Sequence, residues 1–467
     1  MRSAVEFWSH SGVAFDVALA TRDGEVGLDA RRTRRLAELL YTAARRSPVY
    51  RKLLAGRPPG EVRLADLPVT HKHELMARFA DWVTDPALRL DALRHFVADP
   101  ARVGELFLGQ YVVWESSGST GEPALFVQDR LAMTVYDALE GWRRPVFNPW
   151  RRVFDPWGFG DRLVFVGATG GHFASNVSLE RLLRLNPALS RRMSTVSFLQ
   201  PVAQIDDALN RAAPTLLATY PSAAVLLAGE QVAGRLSIAP SEIWTGGETL
   251  SASARKVIEQ AFACPVVNSY GSSEFLATAC ECGSGALHLN SDWCILEPVD
   301  ASGRPVEPDT LGATVLLTNL ANHVQPIIRY DLGDRVALHS ARCACGSSLP
   351  VMDVQGRCDD SLSLRGDGAV DVHVLPLALC TVMEEDASLF DFQIVQDGAR
   401  ELSLTTARHG VAATESLRRG ASALRRYLAS QGAAGVRIHC RSGAPNRLGR
   451  SGKLQRIVAA PKGSAPQ

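Results

Sequence analysis

The sequence predicts an α/β protein in two parts. Residues 1–356 form a large N-terminal domain of layered α/β subdomains with a β-rich subdomain inside it, and residues 357–467 form a small α+β C-terminal domain. Three observations lead there. Short apolar runs alternate with helical stretches between about 111 and 320, the rhythm of a layered core with mostly parallel strands. Residues 295–338 change character and become β-rich, with turn signals between the runs. After Gly356–Arg357 a smaller unit begins, with a strand–strand–helix–strand order of its own.

In chain order, residues 30–56 place Leu36, Leu40 and Ala43 or Ala44 on one helical face. The cluster Arg31, Arg32, Arg34 and Arg35 lies opposite. It has no interleaved aromatics, so it reads as a solvated face rather than a phosphate patch. Pro58–Pro59 punctuate, and 63–79 is a short loop-and-helix segment opened by Pro68-Val69-Thr70. Strands are expected at Tyr111–Trp114, Leu163–Gly167, Thr215–Ala218, Glu242–Trp244 and Pro265–Asn268, with helices over 129–140, 202–212, 222–232 and 251–263. Ile295–Pro298, Gly312–Leu317 and Arg335–His339 suggest an antiparallel or barrel-like subdomain. Strands near 391–396 and 400–406, a helix at 412–429 and a strand at 436–440 build the last unit, and the tail 461–467 is expected to be disordered.

Composition narrows the function classes. The chain has 467 residues, and 50 Lys and Arg nearly balance 49 Asp and Glu, for a net charge of +1. That argues against a nucleic-acid or polybasic membrane binder. No window approaches 18 uninterrupted apolar residues, so no transmembrane helix is expected. Glu6, Ser9, His10 and Ser11 break up the N-terminal stretch, so no signal peptide is expected and the location is read as cytoplasmic. Of nine cysteines, Cys280, Cys282, Cys294, Cys343 and Cys345 fall between 280 and 345, clustering that suggests metal or redox chemistry more than disulfides.

Four stretches carry chemistry. Ser116-Ser117-Gly118-Ser119-Thr120-Gly121-Glu122-Pro123 follows a strand. Its hydroxyls and backbone N–H groups can converge on an anion, although a polar surface loop has the same composition. It is not a Walker loop, because no Gly-Lys-Ser/Thr follows. Asn268-Ser269-Tyr270-Gly271-Ser272-Ser273-Glu274 also follows a strand; its ring can stack on a base, and Glu274 can hold Mg²⁺ bridging phosphates. The third is Arg329-Tyr330-Asp331-Leu332-Gly333-Asp334, followed by Gly356-Arg357, where carboxylates suit ribose hydroxyls and the arginine suits phosphate. The fourth, Gly449-Arg450-Ser451-Gly452-Lys453, puts a lysine on a glycine-flanked loop that can reach a distant site, or simply lie on the surface.

In their order and spacing these stretches resemble the core motifs of the adenylate-forming superfamily of acyl-CoA synthetases, adenylation domains and luciferases, and most of all its phenylacetate–CoA ligase-like branch. Ser47-Pro48-Val49-Tyr50-Arg51 and Leu67-Pro68-Val69-Thr70-His71-Lys72 are similar to that branch too, so the resemblance runs from about 30 to 457. It implies that Ser116–Gly121 binds triphosphate, that Gly246-Gly247-Glu248 and Asn268–Tyr270, with Gly271 and Ser272, contact the nucleotide, and that Glu274 binds Mg²⁺. It further implies that Asp334 and Arg357 hold the ribose, that Asp359 is the hinge of a mobile small domain, and that Lys453 is the catalytic lysine. The implied activity is ATP-dependent conversion of a carboxylic acid, aromatic or arylacetic, to acyl-AMP and then to a coenzyme A thioester. Transfer to an amine, hydroxyl or carrier-protein thiol is the alternative, and a non-catalytic nucleotide-binding homologue a more distant one. A homodimer is left open.

Two further groups complete the reading. Cys282, His288, Cys343 and Cys345 suit a closed, tetrahedral structural Zn²⁺, with Cys280 a spare or a substitute; some members of the branch carry a similar Cys/His pattern. Gly170, Gly171, His172, Tyr220 and Gly246 fall where the family keeps its acyl pocket. His172 either contacts a polar substituent or caps a turn. Trp142, Trp150 and Trp157 read as core or interface, and His71, His73 and His95 as surface or capping residues.

Overall fold

The computed structural model describes residues 12–54, 57, 62–116, 124–145, 160–355, 362–368, 370–389, 391–444 and 456–459. Trp150, Trp157, the phosphate-loop residues Ser117, Gly118, Ser119, Thr120 and Gly121, Arg357, Asp359, Lys453 and the tail 461–467 lie outside the described residues.

The N-terminal helical region breaks where its sequence contains proline. Helix α1 (Gly24–Arg46) stops at Ser47, and α2 (Pro48–Leu53) restarts with Pro48 in its first turn, where a missing N–H costs nothing. The arginine face of α1 is not uniformly solvated. Arg35 is buried, stacks on Trp293 at 3.4 Å and pairs with Asp16 and Asp292, while Arg143 grips both oxygens of Asp292, at 2.7 and 2.8 Å. A buried carboxylate between two guanidiniums thus ties α1 to the β-rich region, and burial is tolerated because each charge is paired. A short helix, α3 (Lys72–Ala77), follows.

Strands β1 (Val112–Glu115) and β2 (Leu125–Gln128) pair antiparallel with each other and stand apart from the main sheet; α4 (Arg130–Arg143) follows, capped by Asp129 accepting from the Ala132 N–H at 2.8 Å. The main sheet then opens with β3 (Leu163–Gly167), α5 (Ala174–Leu185), β4 (Met193–Ser197), α6 (Val202–Ala212), β5 (Leu216–Thr219), α7 (Pro221–Val232), β6 (Glu242–Thr245), α8 (Ala252–Phe262) and β7 (Val266–Ser272). These strands run parallel in the order β4-β3-β5-β6-β7. The expected alternation is there; α5 and β4 are additions that sequence periodicity did not single out.

The sheet continues antiparallel through β8 (Phe275–Glu281) and β9 (Leu287–Leu289). A separate three-stranded sheet holds β10 (Cys294–Val299), β11 (Thr314–Asn319) and β12 (Tyr330–Asp331). The β-rich stretch therefore divides, because β13 (Arg335–Leu338) and β14 (Val351–Gln355) join the main sheet beyond β9 and make it nine-stranded.

The C-terminal unit contains the hairpin β15 (Leu362–Arg365) and β16 (Asp371–Val374), α9 (Pro376–Thr381) running into a π-turn at Val382–Asp386, then β17 (Gln393–Gly398), β18 (Glu401–Thr406), α10 (Val411–Ser430), β19 (Arg437–Ser442) and β20 (Ile457–Val458). Its sheet order is β19-β18-β17-β20. Leu379, Phe392, Leu404 and Leu424 of this unit lie in one buried cluster with Val164, Leu217 and Ile243 of the main sheet. Gln431 donates to the Leu199 carbonyl at 2.7 Å across the seam. The second large cluster joins the N-terminal helices to β1, β2, α4 and the β-rich strands. No helix among the described residues is long and apolar enough to cross a membrane.

Candidate active site

One cavity of about 2180 Å³ opens over the C-terminal ends of the parallel strands. Ligands of open α/β sheets sit at that edge, and the space exceeds the roughly 300–1,000 Å³ of a small-molecule site. Ser116, Gly246, Gly247, Glu248, Asn268, Ser269, Tyr270, Gly271, Ser272, Glu274 and Asp334 all line it.

Each is held for a local reason. The Glu248 carboxylate accepts from the Ser222 N–H and hydroxyl, both at 2.9 Å, which fastens the turn after β6 to the first turn of α7. An acidic group at a helix N-terminus is favourable there. Thr245 Oγ1 donates to Asn268 Oδ1 at 3.0 Å, and the Ser269 hydroxyl donates to the Thr245 carbonyl at 3.2 Å, so β6 and β7 present their ends in register. Gly271 sits at a bulge between β7 and β8, where a Cβ would fall 1.9 Å from the Leu276 carbonyl oxygen; no other residue fits.

Beyond that bulge, the Glu274 carbonyl accepts from Asn319 Nδ2 at 2.8 Å, and Phe275 is buried edge-on against Tyr136 at 5.0 Å. Burial raises the pKa of Glu274, while hydrogen bonds from its own backbone region, Tyr330 and Ser272, and the charge of Lys72, oppose the rise. Tyr270 donates its hydroxyl to Asp334 Oδ2 at 2.9 Å, which joins two motifs 64 positions apart. Burial and that carboxylate keep the Tyr270 phenol protonated, its pKa well above normal.

Within the Arg329–Asp334 run the residues divide their work. Buried Arg329 ties the carbonyls of the 65–67 segment to Glu297, and Asp331 accepts from the Gly333 N–H at 2.9 Å to close the turn. Asp334 is left facing Tyr270. Thr70 pairs with Tyr330, giving its N–H to the Arg329 carbonyl at 2.9 Å, so the 70–72 segment lies alongside. His71, at the N-cap of α3, Lys72 and the exposed His73 consequently border the cavity, with His71 Nδ1 3.7 Å from Asp331, so these histidines are the capping and surface groups expected and also stand at the cavity's rim. Lys72 is the functional candidate that residue-by-residue reading passed over. Its sequence signal was a lysine at the first turn of a helix with no stated role.

The segment expected at the acyl pocket splits. Tyr220 lines the cavity, as does Gly246. His172 is buried, with Nε2 3.1 Å from the Asp99 carbonyl and its ring edge-on to Phe96 at 5.4 Å, and burial lowers its pKa. Gly170 and Gly171 face Glu385 of the C-terminal unit; a Cβ on Gly171 would stand 2.5 Å from Oε1. Trp142 is exposed.

Around that seam carboxylates gather. Burial, with the charge of Glu384, pushes Glu115 up to about 7; burial, with Asp386, Glu115 and Glu384, pushes Glu385 up to about 7. Arg456, buried and 5.0 Å over the Phe392 ring, pairs with Glu384. Cys380, Thr381, Glu384 and Arg408 complete the cavity wall from the C-terminal unit.

Next to the cavity wall at Glu281 and Leu287, Cys282, His288, Cys343 and Cys345 bring their ligand atoms within 4.8 Å of one another. Cys282 and Cys343 sulfurs are 3.8 Å apart, and Cys345 Sγ is 3.4 Å from His288 Nε2. A tetrahedral zinc with arms of about 2.3 Å to sulfur and 2.0 Å to nitrogen sets S···S near ~3.8 Å and S···N near ~3.5 Å, so the donor set fits. His288 Nδ1 lies 2.8 Å from the Leu349 carbonyl, leaving Nε2 as the ligating atom. Cys280 stays outside the quartet: its thiol points to the Glu281 carbonyl at 3.7 Å and burial pushes it up to about 12.

No family model matches the chain. Across nearly its whole length it has the fold of the adenylate-forming ligases. It is similar to 2-hydroxyisobutyryl-CoA ligase solved with 2-HIB-AMP and CoA in the thioesterification state, with TM-score 0.56 and 22% identity over 93% of this chain and 90% of that one. The same ligase in its post-adenylation state with R3-HIB-AMP gives TM-score 0.52 and 23% identity, covering 92% and 89%. At these identities the likeness is one of fold. Protein CapK of Staphylococcus aureus is 31% identical over 137 residues, so the match spans 29% of this chain and 29% of that protein's length.

Proposed function

We propose that this protein activates a carboxylic acid, aromatic or arylacetic, with ATP, forming acyl-AMP and pyrophosphate, and then passes the acyl group to coenzyme A. One observation carries the reading. Residues from Ser116 to Asp334, far apart in sequence, line a single cavity at the strand ends, with Tyr270 hydrogen-bonded to Asp334. The fold shared with 2-hydroxyisobutyryl-CoA ligase supports it.

In the first half-reaction a carboxylate oxygen bonds to the α-phosphorus and the bridge to the β-phosphate breaks. Both partners are anions, so the site must offset repulsion and fix the approach. Glu274 would hold Mg²⁺, which supplies charge neutralisation at the phosphates. Lys72, from the fixed N-terminal part, adds positive charge on the same side, and Tyr270 and Asp334 position the nucleoside. Lys453 and Arg357 are assigned the catalytic-cation and ribose roles, and Asp359 the hinge. Arg456, three positions after Lys453 in sequence, is buried and paired with Glu384 of the cavity wall. In the second half-reaction the thiol sulfur bonds to the acyl carbon, AMP leaves with the bonding pair, and the thiol proton passes to solvent. Cys282, His288, Cys343 and Cys345 would hold a structural zinc, whose part would be to staple the turn after β8 to the segment before β14.

The test is product analysis with ATP, a panel of aryl and arylacetic acids, and either CoA or an amine. Acyl-AMP and an acyl-CoA product are expected. Acyl-AMP with only an amide product would reassign the acceptor, and no acid-dependent AMP with any acid would overturn the reading.

A further inference from the structure

The parallel sheet has two unlike faces. Val164, Val166, Leu217 and Ile243 point to the face packed with Ile205, Leu209, Leu227 and Ile258. The opposite face is only half covered. In register across β3, β5 and β6 it carries Phe165, Ala218 and Trp244, and one level back Leu163, Leu216 and Glu242, with Met193 beside Leu163. Phe165, Ala218, Trp244, Leu163 and Met193 all line the cavity, and Ser175, Ser178 and Leu182 of α5 face them.

An alanine between two aromatics on neighbouring strands makes a slot. Two strand spacings separate β3 from β6 by roughly 9.6 Å. A flat ring needs about 3.5–4 Å on each side, or roughly 7–8 Å in all. Both walls are fixed. The Phe165 ring lies back over Gly167, where a Cβ would fall 2.3 Å from Cζ, and stands edge-on to Tyr220 at 6.3 Å. The Trp244 indole donates to Glu242 at 3.1 Å and is covered by the Arg144 guanidinium at 4.3 Å. Glu140 pairs with Arg144, and Asp137 with Arg181 at 2.6 Å, so these two guanidiniums along the wall each have a carboxylate of the protein beside them. The slot also runs long. From Gly246 at the nucleotide end back to the level of Glu242 and Leu163 is four residues, about 13 Å of strand. A single ring on a short acid fills about half of that.

We propose that Ala218 floors an aryl slot, and that the acid is a planar aromatic acid larger than one ring, seated over Ala218 between Phe165 and Trp244 with its far end toward Leu163 and Met193. This rests on the adenylation reading for the fate of the carboxylate, but the slot itself can be tested without ATP.

Using the full chain, calorimetric binding and pyrophosphate exchange are measured with 2-naphthylacetate, phenylacetate and propionate, for the wild type, Ala218→Ser and Ala218→Phe. The wild type is expected to prefer 2-naphthylacetate, and A218F to shift the naphthylacetate-to-propionate ratio toward propionate by about 10- to 200-fold, the range set by filling an apolar pocket. A218S, which adds a single atom to the floor, shifts the ratio less than A218F. Ala218→Val carries the same test with a smaller shift if A218F does not fold. Equal or better use of propionate by the wild type, or an unchanged ratio in a folded A218F, overturns the slot while adenylation stands. Naphthylacetate binding that A218F abolishes, without exchange for any acid, upholds the slot while adenylation falls.

Discussion

Replacing Tyr270 by phenylalanine isolates the link between the two nucleotide motifs. The ring keeps its packing; only the hydroxyl that donates to Asp334 at 2.9 Å is lost. A hydrogen bond to a charged group is worth about 1.5–3 kcal/mol, so losing this link to the Asp334 carboxylate should raise the KM for ATP by roughly 10- to 100-fold. The effect belongs in KM because the ribose contact proposed for Asp334 would be made in both ground and transition states. Tyr270→Ala removes the ring as well and should add about 1–3 kcal/mol if the base stacks there. Steady-state exchange kinetics over ATP concentration read both changes. A double-mutant cycle of Y270F with Asp334→Asn should show strong coupling, since the two side chains touch. Additive effects, or a Y270F enzyme with unchanged KM, would refute the idea that Asp334 depends on Tyr270 for its position.

Other outcomes follow from the same geometry. Protein purified without chelator should carry about one zinc per chain by elemental analysis, and Cys345→Ala should lose it with a lower melting temperature; metal-free wild type of equal stability would remove the zinc assignment. Glu115 and Glu385, both pushed up to about 7, stay protonated in the folded chain where the unfolded chain ionises near the usual 4.5. The folded state therefore binds more protons between those values, and this stabilisation, complete below about pH 4.5, is lost as pH rises through 7. Each group contributes on the order of 1–3 kcal/mol, discounted for its partial exposure. Glu385→Gln should flatten the decline in melting temperature from pH 5 to 8, and parallel profiles would contradict it. Lys453→Ala should abolish acyl-AMP formation yet leave thiolysis of supplied acyl-adenylate largely intact; equal loss in both half-reactions would count against its assignment.

Much of the parallel core was legible because its periods are strong. Leu163–Gly167 appears where the apolar run places it, and the helix over 202–212 matches its amphipathic pattern. Helix α5 escaped because its first turn holds Ser175 and Asn176 and it buries few apolar side chains. The division of the β-rich stretch could not be read locally: β13 joins the main sheet through β14, a pairing that depends on tertiary placement and not on either strand's own sequence. Arg35 escaped as a buried residue because its partners Asp16 and Asp292 lie far away along the chain. The quartet Cys282, His288, Cys343 and Cys345 was legible because cysteine pairs in turns leave few other readings. The slot over Ala218 was not, because an alanine acquires meaning only from the aromatic residues that strand register sets beside it.

The most direct measurement is a crystal structure of the full chain with a non-hydrolysable acyl-adenylate analogue. The account predicts the adenine against Tyr270, the ribose hydroxyls on Asp334, the phosphate mimic beside Ser116 and Glu274, and the acyl body running back from Gly246 across the sheet. A nucleoside bound elsewhere, or turned so that its ribose leaves Asp334 untouched, would contradict it.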